Sequence, residues 1–216
     1  YVNVEDRDLG GVYSDVQKVL AGIRSQVPKS TIIDVRGQAQ SMVESLQGLG
    51  VGIGFAFVLV YLLLVVNFQS LRDPLVIISA LPGALCGVVW MLFMTHTTFN
   101  VPSLMGAIMS LGVATANSIL VVTFARERTQ AGDSPRQAAL MAGQTRLRPV
   151  IMTALAMVVG MIPMSLGWGE GGEQNAPLGR AVIGGLMLAT LTTLYVVPVI
   201  YARYPSRFAK EEDDET

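Results

Sequence analysis

Residues 74–125 read PLVIISALPGALCGVVWMLFMTHTTFNVPSLMGAIMSLGVATANSILVVTFA, without a single Asp, Glu, Lys or Arg. A helix needs about 20 apolar residues to cross the hydrocarbon core of a bilayer, so this run is long enough for two. The polar turn Thr95-His-Thr-Thr-Phe-Asn100, followed by Pro102, divides it and predicts spans over about 74–94 and 103–125. Outward from this pair, residues 45–71, 149–169 and 181–202 are also free of charge. They add spans over about 48–66, 149–166 and 181–201. The expected fold is an all-α transmembrane bundle of five spans, occupying residues 48–202.

Composition agrees. Of 216 residues 51% are hydrophobic and only 14% charged, against about 25% charged in soluble domains, which excludes an ordinary water-soluble globule. The net charge is −1, and the arginines flank spans and form no basic face, so nucleic acid is not an expected partner. The one cysteine, Cys86, sits in an apolar run and reads as a packing residue. With it alone there is no disulfide framework and no Cys/His metal spacing. No HExxH, GxSxG, P-loop or Ser/His/Asp set occurs, so we expect no enzyme, no catalytic residue and no bound metal.

Residues 1–47 form a separate, charge-bearing region. Tyr13, Val16, Val19, Leu20 and Ile23 make the stripe of an amphipathic helix ending before Pro28. Residues 30–35, STIIDV, are strand-like, and residues 1–4 suit a preceding strand. This is a short βαβ piece, too small to bury a core alone. The chain opens at Tyr1 with neither methionine nor signal peptide and reads as a fragment. Residues 126–148 are expected as a loop carrying an N-capped surface helix after Asp133-Ser-Pro, and residues 168–177 as a flexible glycine-rich loop. Arg72, Arg126, Arg128, Arg136, Arg146, Arg148, Arg203, Arg207 and Lys210 fall on one side, against Arg180 alone on the other. The arginine-rich side is therefore expected in the cytoplasm, with loop 126–148 and the acidic tail 203–216, and the N-terminal piece outside.

Within the spans, Gly106, Ser110 and Ala114 recur every four residues, a small-residue ridge that lets another helix approach closely. Beyond it lies Asn117-Ser118, and an amide inside lipid must find a partner. Thr153 lies at a depth similar to that of Asn117 and either meets it or bonds back to its own helix. Arg146 either snorkels to the interface or turns inward toward an acid. Gly48, Gly50, Gly52 and Gly54 alternate at the start of the first span. They lack the preceding strand of a nucleotide fingerprint. They serve either close helix packing or a coil-to-helix hinge between the outer region and the membrane.

The segments Gly112-Val-Ala-Thr-Ala-Asn-Ser-Ile-Leu120, Arg146-Leu-Arg-Pro-Val-Ile-Met-Thr153, Pro163, Gly184-Gly185 and Tyr195-Val-Val-Pro198 together resemble the C-terminal end of the resistance-nodulation-division (RND) permeases, proton-driven exporters of bacterial inner membranes. The resemblance implies the last five of twelve spans, preceded by the end of a periplasmic α+β porter domain. It implies a proton relay whose acids belong to the N-terminal half, with Asn117 and Thr153 at polar positions of the opposing wall, Arg146 near the cytoplasmic proton route, Ser118 also lining the path, and Gly48–Gly54 opening the coupling helix. No cofactor is implied beyond the proton motive force. The implied partners are that N-terminal half, a homotrimer, a periplasmic adaptor, an outer-membrane channel and membrane lipid. Drug-efflux members usually carry a lysine just before the asparagine, where this chain has Ala116; heavy-metal and other branches also lack it. A second reading is a non-pumping membrane scaffold, or a split subunit needing a partner half.

Overall fold

The computed structural model describes residues 9–23, 38–169 and 171–204. Their regular structure is helical, in the order α1 (Leu9–Ile23), α2 (Gln38–Phe68), α3 (Arg72–Ile78), α4 (Leu81–Met94), α5 (Val101–Gln130), α6 (Pro135–Ser165), α7 (Gly172–Leu191), a π-helical turn (Thr192–Val196) and α8 (Val197–Arg203). Five stretches are long and apolar enough to cross a membrane: Glu44–Phe68, Arg72–Met94, Val101–Gln130, Pro135–Ser165 and Gly172–Arg203. Both strands of the expected βαβ piece lie outside the described residues, as does the acidic tail from residue 205. The helix between those strands is α1.

Contacts divide the chain into two compact units, Tyr1–Gly52 and Ile53–Thr216. In the first, α1 carries the expected apolar stripe, yet Val16, Val19 and Ile23 are exposed. The second holds the spans. At its centre α7 packs against α4, α5 and α6.

That packing depends on missing side chains. A Cβ at Gly87 of α4 would overlap the Gly184 carbonyl of α7, and one at Gly184 would overlap the Gly87 carbonyl. The ridge of α5 meets the same helix: a Cβ at Gly106 would stand 2.6 Å from the Leu178 carbonyl oxygen, and one at Gly185 would overlap Ser110. Ala114 is buried with Ala189. Lipid is as apolar as leucine, so spans associate through such close contact more than through exclusion of water.

Local chemistry sets the helix limits. Asn100 caps α5 by accepting from the Ser103 amide at 3.0 Å, while Ser103 Oγ accepts from the Asn100 amide at 2.9 Å, a reciprocal capping box. Ser134 accepts from the Gln137 amide and Pro135 opens α6, as the Asp133-Ser-Pro signal predicts. Gly132, at φ +96°, supplies the turn between α5 and α6.

Several expected limits are corrected. Residues 126–148 are not a loop, because α5 continues to Gln130 and α6 runs unbroken from Pro135 to Ser165. The helix that holds the fourth span therefore begins at Pro135 and not at Pro149. A proline removes one main-chain hydrogen bond, and a membrane helix tolerates this within a long run of helix-forming residues. The span expected over 74–94 bends at Ser79-Ala80, where Pro82 denies the Ile78 carbonyl its helical donor. The helix that leads into the last span begins at Gly172, so Arg180 lies inside α7 and not in a loop. Cys86 is exposed on α4 among the described residues.

Candidate functional site

Successive residues on a helix point about 100° apart, so Asn117 and Ser118 cannot serve the same neighbour. Ser118 is fully buried. Its Oγ donates to the Ala114 carbonyl at 2.8 Å and lies 3.2 Å from Thr193 Oγ1, across the interface with the π-helical turn. Thr193 is also fully buried. Asn117 is half-buried and has no hydrogen-bond partner among the described residues.

Thr153 does not join them. It is exposed on α6, and its hydroxyl bonds the Pro149 carbonyl at 3.1 Å and the Val150 carbonyl at 3.0 Å, both in its own helix. Thr153 and Asn117 share no hydrogen bond in the structure.

Arg146 is half-buried. Its guanidinium lies over the Phe124 ring, 5.5 Å from the centroid, and Arg128 lies against the same ring at 5.8 Å. The Arg146 Nε is buried without a hydrogen bond. The side chain turns inward onto an aromatic face, and no acid meets it among the described residues.

Two residues to which the sequence assigned no site role stand at the same end. Arg126 donates from Nη1 to the Phe68 carbonyl at 2.7 Å, lies 5.7 Å from the Phe68 ring centroid, and stands 3.7 Å from Asp73 Oδ2. Asp73 is completely buried, and among the described residues Arg126 and Ser70 bear on its carboxylate. Asp73 and Arg126 bracket the charge-free run 74–125, and two antiparallel spans must return the chain to the side it left. That was the available signal. Thr193 had a weaker one, a hydroxyl pair Thr192-Thr193 shortly before Pro198 in an apolar span.

At the opposite end, Arg180 donates from Nε to the Ser165 carbonyl at 3.0 Å and from Nη1 to Thr97 Oγ1 at 2.7 Å. It closes the end of α6 and holds the α4–α5 turn.

Gly48, Gly50, Gly52 and Gly54 all lie within the continuous helix α2, with nothing within 4 Å of a Cβ placed at any of them.

The α5 seam thus offers one unpaired amide and a buried hydroxyl pair at mid-depth, with a cluster of arginines and one buried acid at one end. Such groups can orient or pass a proton. None of the mid-depth groups titrates, so none of them carries a proton by itself.

The model of the AcrB/AcrD/AcrF family matches residues 2–204. The chain is 35% identical to the swarming motility protein SwrC of Bacillus subtilis over 92% of its own length and 20% of that protein. It is 34% identical to the cobalt-zinc-cadmium resistance protein CzcA of Cupriavidus metallidurans over 99% of its length and 20% of that protein. With the multidrug resistance protein MdtC of Salmonella paratyphi A it shares 35% over 81% of its length and 17% of that protein. A crystal structure of a heavy metal efflux pump superposes with a TM-score of 0.77 at 30% identity, covering 94% of this chain and 20% of the other. The chain spans about a fifth of the length of these relatives.

Proposed function

The chain belongs to the AcrB/AcrD/AcrF family of RND permeases, and from that membership we propose that it forms one wall of the membrane domain of a proton-driven exporter. The observation that carries the reading is Asn117. An amide at span depth without a partner is costly in an apolar medium, and this one lies half-exposed on α5. Carboxyl groups from the N-terminal half of the permease supply what the amide lacks, as in the family it belongs to. Asn117 then orients the proton on those acids. Ser118 holds the helix that presents it, and Thr153 and Arg146 line the route toward the arginine-rich end.

Ala116 leaves this wall without an internal cation, so the acids pair with neutral donors here. Placing the arginine-rich end in the cytoplasm follows the positive-inside rule and sets the chain in the bacterial inner membrane, with residues 1–47 periplasmic. We assign it no catalytic residue and no cofactor beyond the proton gradient. Assembly as a trimer with a periplasmic adaptor and an outer-membrane channel completes the reading.

The test uses the full-length permease in proteoliposomes loaded with a pH-sensitive dye, under an imposed pH gradient, with Co²⁺ and ethidium each supplied as probe. At equal folded protein, Asn117→Ala should cut probe-dependent proton flux about tenfold or more, the range for loss of a hydrogen bond to a charged group. Flux equal to the parent protein would sink the assignment.

A further inference from the structure

We propose that Thr193 is a positioning residue of the proton relay, acting through Ser118 to fix the face of α5 that presents Asn117. The inference deepens the relay reading and rests on it.

Two observations carry it. The first is the direction of the hydroxyl pair. Ser118 has one hydroxyl hydrogen, and its Oγ lies 2.8 Å from the Ala114 carbonyl, which can only accept. That hydrogen is committed, so at 3.2 Å the Thr193 hydroxyl is the donor to Ser118 Oγ. The bond joins α5 to the last span between two fully buried residues. Its counterpart, Thr129 Oγ1 to Tyr201 at 3.3 Å, joins the same two elements near the arginine-rich end. Two bonds at two depths fix the rotation of α5, and Asn117 is the residue next to the deeper one.

The second observation is what the backbone gives up to make that bond. Thr193 sits in the π-helical turn Thr192–Val196. A π turn holds one more residue than an α turn, so the residues on either side are rotated relative to an unbroken helix. There the Val197 amide donates to the Thr192 carbonyl, and Pro198 has no N–H to give. Neither Val197 nor Pro198, the residues four and five positions on, thus donates to the Thr193 carbonyl, and no side chain donates to it among the described residues. A buried acceptor deprived of its regular donors is destabilising and persists where the surrounding structure imposes it. Here the π turn turns Thr193 toward Ser118.

Thr193→Val keeps the shape and removes the hydroxyl. It leaves Ser118 bonded to Ala114, so no buried donor is orphaned and folding should survive. In the full-length permease, with Co²⁺ and ethidium as probes, we expect the maximal rate of probe-coupled proton flux to fall about fivefold, with KM for the probe unchanged. The solvent deuterium effect on that rate should rise, because the proton step becomes slower relative to the others. Thr193→Ser should restore both.

If Thr193→Val matches the parent while Asn117→Ala loses flux, the proposal is overturned and the relay reading stands. If both match the parent, both fall. A rate that drops only in proportion to folded protein, with an unchanged deuterium effect, makes Thr193 a packing residue and also overturns the proposal. Should Thr193→Val fail to fold, Thr193→Ala with the same readouts decides.

Discussion

Asp73 and Arg126 stand 3.7 Å apart, carboxylate Oδ2 to guanidinium Nη1, although 52 uncharged residues separate them in the chain. The pair closes the loop made by α4 and α5 crossing and returning. The same guanidinium donates to the carbonyl of Phe68, the last residue of α2. One side chain thus joins three helices where each would otherwise expose an unmet charge or carbonyl.

Breaking this pair from one side should be worse than removing it whole. Arg126→Ala leaves a completely buried carboxylate alone and an uncapped helix end, an expected loss of about 3 kcal/mol. Asp73→Asn keeps the volume and removes the charge, and Asp73→Asn with Arg126→Gln should recover part of the single-mutant loss. Thermal unfolding of the full-length permease in detergent, run as a double-mutant cycle, checks the order. Additive losses would mean that the two charges do not interact.

The α4–α7 contact predicts a sharp contrast between glycines. At Gly87 the first atom of any side chain meets the Gly184 backbone, which cannot swing aside. Gly87→Ala should cost about 2 kcal/mol or more by forcing two packed helices apart. Gly112, on α5, has nothing within 4 Å of a Cβ, and Gly112→Ala should stabilise its helix by about 0.5–1 kcal/mol. Melting temperatures of the two variants should move in opposite directions.

The spans were legible because the bilayer imposes a single length on every crossing, and absence of charge over that length is visible without knowing any contact. Helix ends were less so. Pro149 and the arginines around it looked like a boundary, but a proline only removes one hydrogen bond, and residues 135–148 contain nothing else that stops a helix. Arg180 looked like a loop residue because its charge interrupts an apolar run, while its actual partners, Ser165 and Thr97, lie on elements distant in sequence. Thr193 was hidden for a related reason. Its importance depends on the π turn, and nothing in a run of Thr, Leu, Tyr and Val announces one. Asn117 could be picked out because an amide in an apolar span is an anomaly in its own right.

Arg180 predicts a loss confined to one end of the protein. Arg180→Gln removes two charge-assisted hydrogen bonds, to the end of α6 and to the α4–α5 turn, and should cost about 2 kcal/mol. Arg180→Lys keeps the charge but cannot reach both acceptors with one fork, so it should fall between. Hydrogen exchange should quicken at residues 95–100 and 165–169 and remain unchanged at the Arg126 end. Uniform acceleration along all the spans would argue against a local fastening.

Gly50 and Gly52 allow stability and function to be separated. Both stand in open space within a continuous helix, so alanine meets no obstacle and should stabilise α2 by about 1 kcal/mol per site through reduced backbone freedom. If the glycines serve only the folded helix, transport by Gly50→Ala/Gly52→Ala should equal or exceed that of the parent. If α2 must open locally during the cycle to couple the outer region to the membrane, about 2 kcal/mol of added helix stability opposes that opening. Probe-coupled flux should then fall while the melting temperature rises. Opposite movement of these two quantities in one double variant is the result we expect. A common rise would remove the hinge from the mechanism.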